Sequence, residues 1–232
     1  MNKINITQIK TEFKKFNMFS DNETYFDFFR LNTDEINAFL ETFSDLSPDN
    51  SLSDTAENPL FIGVFKEDKP IGFAYAKKDM DAKNRRIYEI DEKSSLDKSI
   101  IIEYIYVLPE FRGKSLQKKL IAIFEYLYSA ENFRHFFFKS PVNNYFLTKN
   151  TVDYGFEVID IFPYGETDRE FYYLCHFPVG KVRYDVVEQY AVHNMKIEAQ
   201  KEVLSLGFCG FKAINYRAID DYFLSYSIMY YD

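Results

Sequence analysis

The residues with the most chemistry in them lie between Ile100 and Leu127. Ile100-Ile101-Ile102-Glu103-Tyr104-Ile105-Tyr106-Val107 is an apolar run of strand length carrying a single carboxylate, Glu103. It passes through Leu108-Pro109-Glu110-Phe111 into Arg112-Gly113-Lys114-Ser115-Leu116-Gln117-Lys118-Lys119-Leu120. From there Leu116, Leu120, Ile123, Phe124 and Leu127 recur at helical intervals, so the basic turn opens a helix with one apolar face. A helix start exposes backbone N–H groups and carries a partial positive charge. Basic side chains placed there suit the grip of a pyrophosphate, which points to a nucleotide-bearing cofactor. Strand alternation groups Glu103 with Ile105 and Val107. A carboxylate partly desolvated among aromatic rings holds its proton more tightly and becomes a better base near neutral pH. The rival role for Glu103 is an ordinary surface or ion-paired carboxylate.

The order strand, Val107-x-Pro109-Glu110-Phe111-Arg112-Gly113-Lys114, amphipathic helix resembles the acyl-CoA-binding segment of the GNAT superfamily of N-acyltransferases. The resemblance implies an α+β fold: a mixed central sheet flanked by helices, a GNAT-like domain over residues 1–180 with its core at 24–178, and a C-terminal extension over 181–232. It implies acetyl-CoA as acyl donor and a primary amine, on a small molecule or a peptide, as acceptor, with direct transfer in a ternary complex. Backbone at Ile105, Tyr106 and Val107 would meet the pantetheine arm and the developing oxyanion. Arg112, Gly113, Lys114, Ser115, Leu116 and Gln117 would meet the diphosphate, and Asn144, at the start of a later helix that ends near Gly155-Phe156, would bond the arm. The family pattern Arg/Gln-x-x-Gly-x-Gly/Ala keeps its first position in Arg112, whereas Ser115 and Gln117 replace the second and third. The tyrosine that many members use as proton donor falls at Thr151 here, leaving Tyr145 and Tyr154 as substitutes, or water. A carboxylate found in some members falls at Ile101. These departures define a second class of function, a GNAT-like module that binds CoA structurally or not at all and acts through protein contacts.

Composition narrows the classes further. The formal net charge of -8 argues against broad contact with nucleic acid or an anionic membrane and would attract a cationic amine. With 25 Phe, 19 Tyr and no Trp, the chain has the aromatic content of a sheet-rich core. Cys175 and Cys209 are too few for a disulfide framework, and with His135, His176 and His193 they show no metal-ligand spacing, so no metal is expected. Met1 to Gln8 lacks a signal-length apolar region, and no run approaches about 18 apolar residues, which leads to the expectation of a cytoplasmic protein.

The elements that must position these groups read in order along the chain. Residues 4–18 have helical spacing of Ile6, Ile9, Phe13 and Phe16; Thr24 to Leu31 reads as a strand; Thr33-Asp34-Glu35 starts a helix. A polar loop over 44–57 precedes strands at Leu60 to Phe65 and Ile71 to Ala76, joined by the hairpin turn Lys66 to Pro70. A charged excursion over 77–98 follows. Beyond the basic helix come a strand at Arg134 to Lys139, the Asn144 helix, and strands at Glu157 to Phe162 and Glu170 to Phe177. In the tail, Gly207-Phe208, Tyr216, Asp220 and Phe223 fall 52 residues after Gly155-Phe156, Tyr164, Asp168 and Phe171. Either the last helix-strand-strand unit is duplicated or the matches are coincidence in an aromatic-rich chain. The tail could extend the sheet, cover the acceptor site or join two chains as a homodimer.

Overall fold

The computed structural model describes residues 1–5, 8, 26–43, 60–79, 98–163, 170–181, 183–218 and 220–231. The loop expected over 44–57, nearly all of the excursion over 77–98, and Tyr164 and Asp168 lie outside the described residues, as does most of the helix expected over 4–18. At the start of that last span the outcome is different: Ile4 donates its N–H to the Phe28 carbonyl at 2.9 Å and continues strand pairing. The chain divides into two compact units. The first holds Met1–Lys78 and Ile102–Glu131, and the second holds Asp79–Ile101 and Asn132–Asp232.

In the first unit the strand order is β1 (Asn2–Lys3), β2 (Asp27–Leu31), β3 (Leu60–Lys66), β4 (Lys69–Lys78) and β5 (Ser99–Val107), of which the residues from Ile102 belong to this unit. β3 and β4 form the expected hairpin, and Glu67 and Asp68 at its tip both have positive φ, the condition for a tight turn that follows the strand twist. Helix α1 (Thr33–Glu41) begins one residue after its cap, Asn32. There the Glu35 N–H donates to Asn32 Oδ1 at 3.0 Å and the Asn32 N–H donates to Glu35 Oε2 at 2.9 Å. Its Phe39 is driven into a ring cluster with Phe43, Phe61, Phe65 and Phe73, and Tyr104 and Tyr106 of β5 pack against the same cluster. That burial fixes β5 beside β4. A one-turn 3₁₀ segment, Pro109–Phe111, then leads into α2 (Leu116–Ala130).

In the second unit the strand order is β6 (His135–Pro141), β8 (Phe171–Pro178), β7 (Glu157–Pro163), β10 (Cys209–Ala218), β11 (Asp221–Tyr231) and β9 (Arg183–His193), with α3 (Tyr145–Tyr154) and α4 (Ile197–Ser205). Ile101, the last residue of β5 in this unit, packs with Phe137, Ile159, Leu174 and Cys209. Cys175 and Cys209 are buried free thiols, and burial pushes the Cys175 thiol far up. The sequence predicts a helix, strand, strand extension; the structure adds β9 before the helix. Arg183, Asp185 and Glu188 break up its apolar residues, a composition suited to the end of a sheet, where charge discourages further pairing. The class is α+β, as expected, with four α-helices among the described residues.

Candidate active site

Glu103 lies in the first unit, half-buried, and its carboxylate pairs with Lys77 Nζ of β4 at 3.4 Å. Its charge is felt by Tyr75, whose phenol is raised first by burial and then by Glu103. Tyr104 is raised as well, by burial first and then by Tyr106. Phe73 stacks on Tyr104 with ring centroids 5.4 Å apart. The carboxylate therefore sits at the border of an aromatic wall with a cation opposite. Strand alternation identifies Glu103 but not Lys77, because their pairing depends on the β4–β5 register, which no local pattern carries.

The basic turn grows out of β5 in four steps. Leu108 N–H is held by the Ile71 carbonyl at 2.9 Å, Phe111 N–H by the Leu108 carbonyl at 2.9 Å, and Arg112 N–H by the Pro109 carbonyl at 3.2 Å. Arg112 Nε then donates back to the Val107 carbonyl at 3.2 Å, so that its guanidinium is braced against the strand end. Gly113 has φ of 76° and Ser115 φ of 56°, two left-handed residues flanking Lys114. Only a residue without Cβ takes that conformation at no cost, so Ser115 is strained at the position where the family pattern has glycine. Ser115 is the N-cap of α2, yet no side chain caps this helix and no acidic residue sits in its first turn. Arg112 to Ser115 are exposed, and a Cβ built on Gly113 would meet nothing within 4 Å.

Below the turn, Leu116 is 2% exposed and Lys119 1% exposed, which anchors the first helical turn. The Phe26 ring lies 5.9 Å from Lys114 Nζ and 5.7 Å from Lys119 Nζ, a contact across the chain that no local pattern signals. Gln117 is half-buried and Lys118 likewise. The helix end thus gathers the positive end of the dipole and several cations around an exposed, tightly coiled backbone, an arrangement that favours a bound anion.

The remaining candidates lie in the second unit. Asn144 is exposed and is the N-cap of α3; its Oδ1 accepts from the Leu147 N–H at 3.0 Å. Tyr145 and Tyr154 are both buried, at 7% and 8% exposure. The Tyr145 ring lies 5.4 Å from Tyr222, and the Tyr154 ring 5.6 Å from Phe177. Thr151 is also buried and donates its hydroxyl to the Leu147 carbonyl at 2.8 Å. Among the described residues no cluster of three or more His, Cys, Asp or Glu could hold a metal, and no helix is long and apolar enough to cross a membrane.

With this geometry in view, comparison with known proteins is decisive at the family level. The acetyltransferase (GNAT) family model matches residues 22–145, more than half of the chain. The chain belongs to the GNAT acetyltransferase family. Solved structures agree on the fold. The ribosomal-protein-S18-alanine N-acetyltransferase of Escherichia coli superimposes with a TM-score of 0.51 at 15% identity, covering 66% of this chain and 94% of its own. Arabidopsis thaliana NAA60 in complex with a bisubstrate analogue gives 0.52 at 13%, covering 67% and 98%. The IAA acetyltransferase of Bacillus cereus gives 0.51 at 13%, covering 66% and 99%. No curated protein matches the sequence. Each relative is covered almost whole while about a third of this chain is left over, and the GNAT family match itself ends at Tyr145.

Proposed function

We propose that the chain is an N-acetyltransferase that moves the acetyl group of acetyl-CoA onto a primary amine by direct transfer in a ternary complex. The observation that carries the reading is the turn from Arg112 to Gln117: exposed from Arg112 to Ser115, left-handed at two positions, braced on Val107 and opening an uncapped helix. Its backbone, with Arg112 and Lys114, would hold the diphosphate, while Ile105, Tyr106 and Val107 of the strand and the amide of Asn144 would hold the arm. In the transfer the amine nitrogen bonds to the thioester carbonyl carbon as the carbon–sulfur bond breaks. The amine proton leaves to Glu103, directly or through water, and the departing sulfur takes a proton from water, Tyr145 or Tyr154. Lys77 serves the base by holding the Glu103 carboxylate in place and giving its charge a counterion until the proton arrives. The acceptor is an amine on a small molecule or a peptide, drawn by the acidic balance of the chain, and the working compartment is the cytoplasm.

The second reading, a GNAT-like module without turnover, draws on Thr151, whose hydroxyl is spent on the Leu147 carbonyl, and on the burial of Tyr145 and Tyr154. Thermal shift with CoA and acetyl-CoA, followed by thiol release against a panel of amines, separates the two. A rise in melting temperature with acetyl-CoA followed by amine-dependent thiol release is the result expected of the enzyme. A rise without thiol release supports the module, and no rise with either ligand rejects both CoA-binding readings.

A further inference from the structure

The second unit contains the same arrangement twice. Moving β6, the two-residue turn Val142-Asn143, α3, β7 and β8 along the chain by 52 residues lands on the end of β9, the turn Asn194-Met195, α4, β10 and β11. Left-handed glycines end both helices, Gly155 at φ 122° and Gly207 at φ 95°. The edge-on ring pair Phe138–Phe156, 6.5 Å between centroids, returns as Tyr190–Phe208 at 5.0 Å.

The two arrangements also meet about a local two-fold axis. Exchanging each strand for its counterpart in the order β6-β8-β7-β10-β11-β9 gives the same order read from the other end, as a two-fold axis at the centre requires. The antiparallel contact at the centre pairs Val158 with Gly210, residues that are themselves counterparts. Asn194 donates Nδ2 to the carbonyl of Val142, its own counterpart, at 3.2 Å. α3 packs on β10, and α4 packs on β7. Self-pairing of equivalent positions at a two-fold axis is the mark of an isologous interface, here within a single chain.

The interface carries a buried polar network. Tyr222 Oη donates to the Val142 carbonyl at 2.8 Å and lies 3.3 Å from Thr148 Oγ1, which in turn bonds Ser140 Oγ at 2.8 Å. Gln200, counterpart of Thr148, accepts from Tyr173 Oη at 2.9 Å and Tyr226 Oη at 2.6 Å, and donates to the Asn194 carbonyl at 2.7 Å. The Val142 carbonyl thus receives two donors from the later arrangement, and it lies two residues before Asn144, the cap of α3.

We propose that residues 135–178 and 183–231 are tandem copies of one strand-helix-strand-strand module, and that the second copy acts as a partner subunit in cis. It holds the turn between β6 and α3 through Tyr222 and Asn194. Tyr222 is then a positioning residue for Asn144, which it never touches. The second half of this statement rests on the acetyl-CoA reading given above; the first does not.

The test uses the full chain with Tyr222→Phe, and with Tyr226→Phe as a variant that loses a hydroxyl of the same buried network away from the turn. Amide hydrogen exchange over residues 142–148 is read without ligand, and acetyl-CoA affinity and saturated turnover are read separately. Tyr222→Phe should speed exchange in that window by roughly 5- to 10-fold, the loss of one buried hydrogen bond, whereas Tyr226→Phe should not. Acetyl-CoA affinity should weaken by a similar factor with saturated turnover kept. Unchanged exchange in the window, or an equal change spread over the unit in both variants, overturns the positioning role. If the unaltered chain binds no CoA, the acetyltransferase reading falls while the exchange measurement still decides the tie. Should Tyr222→Phe fail to fold, Asn194→Ala removes the other donor to the Val142 carbonyl and reads the same window, with the same increase expected and an unchanged rate overturning the tie.

Discussion

Gly72→Ala tests how the strand end that launches the basic turn is held. A Cβ at this position would lie 2.6 Å from the Tyr106 carbonyl oxygen and 3.2 Å from Val107 Cα. Both are backbone atoms, so neither can swing aside as a side chain would, and β4 must move off β5 by a good fraction of an ångström. Overpacking of this kind costs about 1–3 kcal/mol. The stiffer unfolded chain of alanine returns about 0.4–1 kcal/mol. The Leu108 N–H bond to the Ile71 carbonyl, one residue from the clash, would lengthen from 2.9 Å at a further cost of about 1 kcal/mol. The net loss is about 2 kcal/mol, a fall in melting temperature of about 4–8 °C for a chain of this size. Calorimetry on the purified variant measures it, and CoA affinity should fall with it because the turn rides on the displaced strand. A melting temperature equal to or above that of the parent would refute the reasoning, since it would mean that β4 and β5 are not in close backbone contact there.

Ser115→Gly should raise stability by about 0.5–1 kcal/mol in chemical unfolding, because it relieves a left-handed serine and removes no capping bond; a loss of stability would contradict it. His135 Nδ1 and His176 Nε2 lie 3.1 Å apart in the second unit, and burial, followed by the neighbouring His135, holds His176 well below its ordinary value of 6.5. Its neutral form therefore belongs to the fold. The unfolded chain takes up the proton first as pH drops below about 6.5, so this contribution to stability is present above that value and is lost as pH falls beneath it. His176→Phe should flatten the decline, and an unaltered pH profile of melting temperature in that variant would count against this origin.

Much of the fold could be read from local pattern. The hairpin composition of Lys66 to Pro70, the helical spacing from Leu116 to Leu127 and the Gly-Phe pairs at the helix ends each report a short-range physical preference, and β3, β4, α2, α3 and α4 stand where those preferences put them. β9 was hidden because its charges look like a linker unless its place at the end of the sheet is known. The site divides in the same way. The turn from Arg112 to Gln117 announces itself in sequence, since positive φ and basic charge are demands on residue type. Lys77 opposite Glu103, Phe26 under two lysines and Tyr222 on the Val142 carbonyl arise from tertiary register, to which spacing along the chain is blind.

Titration of CoA into the parent chain and into the Arg112→Ala, Lys114→Ala double variant, followed by calorimetry at fixed salt, puts the diphosphate at this turn to the test. Both side chains are exposed, and the contacts they lose, Arg112 Nε to the Val107 carbonyl and Lys114 against Phe26, are surface contacts, so the melting temperature should fall only slightly. Loss of charge-assisted contacts to the diphosphate should weaken binding by at least roughly 10-fold. Equal affinity in the two proteins would contradict the placement of CoA on this turn and, with it, the acetyl transfer built upon it.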